Sequence, residues 1–223
     1  MRRIARVAVV VLLVAPAAFA DREVRHDFRV ASAAAGIQKV IVEIPISEMK
    51  VTTSTAKEIV VSGYVTREYD RLSEMAGAER IAKNSGMEID IRGSRAIIRR
   101  KFAADLPRRA KNSDTEFHLN VTLPDGVDLE IRQRIGELEL EGAFGNIDID
   151  MSIGEVTIHV PKKNIKELSA RTTIGEVRTN VGDRIISREG IFAGRTHFYN
   201  DGGRSTLNVR LTIGEIDIAL TDK

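Results

Sequence analysis

The side chains able to do chemistry in this sequence are abundant carboxylates, scattered bases and little else. Four histidines, His26, His118, His159 and His197, stand far apart without the spacing of metal ligands. There is no cysteine, which removes thiol nucleophiles, thiolate metal sites and disulfides. No Gly-x-Ser-x-Gly elbow is present to activate a serine. The 32 acidic residues could supply the carboxylate pair of a glycoside hydrolase. Aromatic platforms for a sugar are scarce, however, with no Trp, three Tyr and seven Phe. These observations predict a protein that is not an enzyme and holds no cofactor or metal.

Two clusters suit binding better than catalysis. Residues 95–111 form a basic loop carrying seven positive residues against Asp105, among them Arg99, Arg100, Lys101, Arg108 and Arg109. Such a run could meet an anionic lipid, a lipopolysaccharide or another acidic surface. The second cluster is Phe192, Arg195, His197 and Tyr199, an aromatic and arginine group with the composition of an interface hot spot. The bland alternatives are a solvated loop for the first and an irregular loop folded over its own aromatics for the second.

What must position these residues is a repeat. Ile-Gly-Glu occurs at 135–137, 153–155, 174–176 and 213–215, and Ala193-Gly194-Arg195 reads as a degenerate fifth copy. A period near twenty residues is the signature of a stacked array. Seven, five, three and one residues before each glycine the side chains are apolar, with Gln133 and Thr172 as the exceptions. After the glycine the apolar positions fall at plus two and plus four. Each set predicts a strand with one buried face, yet the two are out of phase by one residue. The chain must therefore bend or bulge at Gly-Glu, where a residue without Cβ costs least. The repeated glutamates would then form a column, with Arg195 of the degenerate copy between Glu176 and Glu215. Calcium would favour clustered carboxylates, but the Asp- and Gly-rich turns of calcium-binding arrays are absent.

The flanking sequence sets the context. Arg2, Arg3 and Arg6, the apolar run Val7 to Val14 and Ala18-Phe19-Ala20 read as a secretory signal over residues 1–20. The run is too short to cross a bilayer, so the mature chain is expected to have no transmembrane segment. Removing it takes away three of 34 basic residues and none of 32 acidic ones, leaving 31 against 32, a net −1. No basic field remains to argue for nucleic acid. Residues 21–111 then form an N-terminal β region with one helix over 70–84, on whose face Leu72, Met75, Ala78 and Ala82 fall, and residues 112–223 form the strand-repeat domain.

The stretch Val121-Thr122-Leu123-Pro124-Asp125-Gly126-Val127-Asp128-Leu129-Glu130-Ile131, followed by successive Gly-x-apolar-x-apolar units, resembles the bacterial putative-adhesin family of β-strand-repeat proteins, a domain of unknown function. The resemblance spans residues 115 to 223 and implies an elongated β-solenoid on the cell envelope, with no catalytic set to carry over. The combined expectation is an all-β chain, a β-solenoid (β-helix-like) stack of ~20-residue repeats with a smaller N-terminal strand region. It would be exported to the periplasm or the cell surface and act as an adhesin-like or scaffolding module for an envelope protein or glycan. Two alternatives stay open: a carbohydrate-active enzyme on a β-helix, which needs acids and arginines gathered on one sheet face, and an envelope signalling module that senses an anionic ligand.

Overall fold

The computed structural model describes residues 22–103, 115–181 and 194–222. The signal segment, Arg108, Arg109 and Phe192 lie outside them. Among the described residues the chain is all-β with one α-helix. In chain order the elements are β1 (Glu23–Ala33), β2 (Lys39–Glu43), β3 (Ile46–Ser54), β4 (Glu58–Glu68), α1 (Met75–Lys83), β5 (Ser85–Arg92), β6 (Arg95–Phe102) and β7 (Thr115–Pro124). Then come the repeat strands β8 (Asp128–Glu141), β9 (Ile147–Pro161), β10 (Ile165–Thr179) and, after the short β11 (Arg195–Tyr199), β12 (Ser205–Thr221). All twelve join one mixed sheet, so hydrogen bonds run from strands before residue 111 to strands after it.

The four Ile-Gly-Glu copies lie side by side, parallel and in register, in the order β8, β9, β12, β10. Burial confirms the change of phase: Leu129, Ile131 and Gln133 point inward, then Leu138 and Leu140, and the other copies follow suit. Each corner glycine has φ between +133° and +141°, a region that other residues rarely adopt. Space forbids a side chain as well. A Cβ on Gly154 would lie 1.8 Å from the carbonyl oxygen of Gly136, one on Gly214 1.8 Å from that of Gly154, and one on Gly175 1.9 Å from that of Gly214. Each missing Cβ is thus the place where the next strand's backbone sits.

The glycine row also explains how parallel neighbours are joined so briefly. A parallel crossover usually takes a dozen residues or more, yet only residues 142–146 separate β8 from β9. Each strand doubles back at its glycine, which returns its end to its start. The amide of Gly126 accordingly donates to Ala143 and that of Gly145 to Val127, tying the connecting loop to the residues just ahead of β8. The inward faces on both sides of the crease share one apolar core. Burying each Ile, Leu or Val there is worth about 1.5–3 kcal/mol. The buried polar exceptions serve the crease itself: Gln133 donates to the carbonyls of Ser47 and Ile135, and Thr172 to that of Ile174.

Several expectations are corrected. The array does not wind as a simple succession, because β12 sits between β9 and β10, which a turn over Lys162–Asn164 connects. The segment around Gly194 is no fifth copy: β11 runs antiparallel along the outer edge of β10, pairing Arg195 with Arg171, while Glu176 lies directly beside Glu215. An unheralded rung replaces it at the other end. There β2 pairs with the first half of β8 and β3 with the second, and the corner is Pro45, whose carbonyl accepts from Arg134 and Ile135. The isoleucines just before the glycines are not buried either. Ile135, Ile153, Ile174 and Ile213 are 39–45% exposed, because the turn has begun at that residue and swings it out of the inward row. Of the predicted helical face, Ala78 and Ala82 are buried and Leu72 and Met75 are exposed. The helix is short and covers β1, β4 and β5 with small side chains.

On this basis Gly154→Ala should cost more than about 3 kcal/mol, combining backbone strain with a clash that neighbouring backbone cannot relieve. Gly77→Ala in α1, where nothing lies within 4 Å, should instead gain about 0.5–1 kcal/mol. Urea unfolding of the two variants checks both signs.

Candidate functional site

In-register pairing turns each outward position into a row that crosses the strands. Four residues before the glycines, this row runs without a break across eight strands: Glu88 on β5, Arg99 on β6, Glu43 on β2, Arg132 on β8, Asp150 on β9, Arg210 on β12, Arg171 on β10 and Arg195 on β11. Through the first six the charge alternates strictly. Opposite charges on facing positions stabilise a sheet, and like charges weaken it. The ladder's last three members are all arginine.

The alternating part is closed by ion pairs. Arg99 meets Glu88 at 2.6 Å, and Arg132 meets Glu43 at 2.9 Å. Arg210 reaches Asp148 at 3.1 Å and Asp150 at 3.6 Å. Lys39, which faces Asp128 in the pairing, reaches across to Glu130 at 2.6 Å, and Arg132 shares the same carboxylate. These contacts keep the Glu130 carboxyl below the usual carboxylate range, the Lys39 hydrogen bond first and Arg132 after it. Between Glu43, Arg132, Arg134, Asp148, Asp150 and Arg210 lies an open groove of about 650 Å³.

The last rungs differ. Among the described residues no carboxylate lies in salt-bridge range of Arg171 or Arg195, and both are exposed. With Arg210 they line a second groove of about 490 Å³, with Thr173 and Thr212 on one side and the backbone of Gly194 alongside. Three guanidinium groups therefore issue from adjacent strands, ~4.8 Å apart at the backbone.

The residues singled out from sequence separate into two groups. Arg195, His197 and Tyr199 lie on the same outward side of β11, with His197 3.2 Å from Glu167 and Tyr199 half exposed. Arg99, Arg100 and Lys101 are on β6, at the far end of the ladder. Arg99 is already committed to Glu88 and Asp90, whose contacts raise its pKa. Arg100 turns its guanidinium over Phe102 and Phe117, and burial lowers its pKa. Neither is a free surface cation. The repeat pattern predicts Arg195 between Glu176 and Glu215, whereas the antiparallel course of β11 sets it beside Arg171, whose other neighbour is Arg210.

Beyond the crease the charge is reversed. Glu48, Glu137, Glu155, Glu215 and Glu176 follow one another across five strands. His118 pairs with Glu48 at 2.8 Å at one end, and Arg178 bridges Glu176 and Glu215 at the other. Among the described residues no three His, Asp or Glu side chains converge as a metal site requires, and no helix is long and apolar enough to cross a membrane.

No family model matches the sequence, and no curated protein matches it. Solved structures do resemble it. A protein described as a putative cell adhesion protein from Clostridium sporogenes aligns over 88% of this chain and 100% of its own, at 13% identity and a TM-score of 0.48. A putative adhesin from Parabacteroides merdae covers 87% of this chain and 80% of its own at 10% identity and a TM-score of 0.30. Another from Bacteroides fragilis covers 88% and 96% at 7% identity and a TM-score of 0.26. The neighbours thus carry the adhesin description that the sequence resemblance led to, at low identity.

The Glu130 contacts give a pH signature. A carboxylate with a depressed folded pKa contributes stability at neutral pH and loses it as acid protonates it. Glu130→Gln should therefore lower the unfolding midpoint at pH 7, and the gap to the parent should close as pH falls below about 4. Thermal unfolding at stepped pH measures this, and a gap of constant size would contradict it.

Proposed function

We propose that the protein is an exported, non-catalytic interaction module of the cell envelope, adhesin-like in class, which engages an anionic partner through the arginine end of its ladder. The observation that carries this reading is Arg171, flanked on both neighbouring strands by another arginine and facing no carboxylate among the described residues. Three adjacent like charges weaken a sheet, while arginine forks bind carboxylate, sulfate or phosphate by paired hydrogen bonds. A partner that supplies the missing negative charge gives the cluster its purpose. The parallel in-register strands with glycine corners support a solenoid-like coil through β8, β9, β12 and β10, extended by β2 and β3. The signal-like residues 1–20 support export, and the descriptions of the structural neighbours support the adhesin class.

One observation favours the enzyme alternative, since acids and arginines do gather on a single sheet face in the larger groove. The state of those acids argues against it. Glu43, Glu130, Asp148 and Asp150 each meet a cation. A general acid for glycoside cleavage needs a raised pKa, and that of Glu130 moves down.

The purified protein should be retained on sulfated or carboxylated beads, released by salt as Debye screening shortens, and pass through neutral beads. Reversing two charges, in Arg171→Glu with Arg195→Glu, should abolish retention without unfolding the chain. Equal retention of the parent and the double variant would overturn the reading, and so would release of reducing sugar from a glycan by the parent but not by Glu130→Gln.

A further inference from the structure

We propose that the free edge of β1 is a self-association surface, on which a second copy of this chain pairs its own β1 antiparallel about a twofold axis at His26.

The edge is open in its main chain. Tyr69 donates to the carbonyl of Arg22 and Ala34 to that of Lys57, at the two ends of a β1–β4 register without a break. Antiparallel bonding alternates, so the even residues of β1 serve β4, and Glu23, Arg25, Asp27 and Arg29 turn their N–H and C=O groups outward. Among the described residues no strand pairs with them on that side. Val24, His26, Phe28 and Val30 face inward yet are only half-buried. An open groove of about 440 Å³ wraps over the edge, from Glu23 and His26 to Met75 and Glu79 of α1. A strand edge left bare in this way is a template for another strand.

The order of charges selects the occupant. Glu23, Arg25, Asp27 and Arg29 alternate in sign along the exposed side of β1. Turned about His26, a copy sets Glu23 against the partner's Arg29 and Arg25 against the partner's Asp27, and symmetry repeats both contacts. Moving the axis to Arg25 brings Glu23 against the partner's Asp27, and moving it to Asp27 brings Arg25 against the partner's Arg29. Opposite charges on facing positions attract and like charges repel. Only the axis at His26 gives all four residues an opposite charge.

Within one copy these charges are poorly matched. Glu23 faces Glu68 of β4 and Arg29 faces Ser62. Among the described residues neither Glu23 nor Arg29 meets an opposite charge. Arg25 does hold Asp27 at 2.9 Å and lies over the ring of Tyr64. That pair is exposed and lies within one strand, so it stabilises the single copy little. Both of its hydrogen bonds end on Oδ1, which leaves Oδ2 for the partner's Arg25.

β1 and β11 stand at opposite ends of the main strand order. Two copies joined through β1 therefore keep both arginine ends free, which suits bivalent attachment.

Sedimentation of the purified protein over a concentration series should show a monomer–dimer equilibrium and nothing larger. Glu23→Arg and Arg29→Glu, each alone, should weaken it at least tenfold. A mixture of the two variants should restore it, as should both changes in one chain. His26→Cys should form a covalent dimer on mild oxidation, because facing residues outside the hydrogen-bonded pairs have Cα atoms about 4.5 Å apart, within disulfide reach. Ala33→Cys should not. A monomer at every concentration would overturn the twofold pairing, and so would a dimer indifferent to both charge changes or not cross-linked through His26→Cys. Anion binding by Arg171 and Arg195 is read separately on beads, and neither result decides the other.

Discussion

Everything in this molecule depends on how closely four strands approach one another at a single residue. At Gly136, Gly154, Gly214 and Gly175 the backbone occupies the space that a Cβ would need, and the positive φ at each point turns the strand back on itself. The contact is mutual, so the corners form a row in which each member braces the next. From it follow the short loops, the exchange of buried and exposed sides, and a core shared by both halves of the sheet.

The same register has an electrostatic cost that the chain manages differently on its two faces. Parallel strands in register align like with like, and a repeat copied faithfully would build columns of identical charge. Before the corner the copies have diverged, so that arginine and acid alternate across six strands. After it they have not, and five glutamates stand in line, relieved at the ends by His118 and Arg178. The three arginines on β12, β10 and β11 are the place where alternation stops on the otherwise balanced face. Arg210 is still held by Asp148 and Asp150, whereas Arg171 and Arg195 meet no carboxylate among the described residues, which sets these two apart from the paired charges beside them.

Much of the fold could be read from the residues. Period-2 apolar patterning, the phase change at glycine and the polar intruders Gln133 and Thr172 were all visible, because each follows from local geometry that a repeat makes redundant. The rung built from β2 and β3 was invisible, since Pro45 bends the chain without the tripeptide that marks the other corners. Ile135 and its equivalents depart from the apolar pattern by being exposed, because apolar character signals burial only while the strand is straight. Arg195, His197 and Tyr199 were recognisable as a group, since alternation within β11 puts them on one side. Their union with Arg171 and Arg210 depended on lateral strand order and on the direction of β11, neither of which any local pattern encodes.

The lateral order also constrains how the chain can be made. β9 and β10 are joined by three residues, yet the slot between them belongs to β12, which follows both in the chain. Until residues 205–221 emerge, two matching edges face each other across an empty lane, free to zip shut prematurely. Residues 205–221 thus act as a wedge, and closure of this part of the sheet waits on their arrival between two strands already joined.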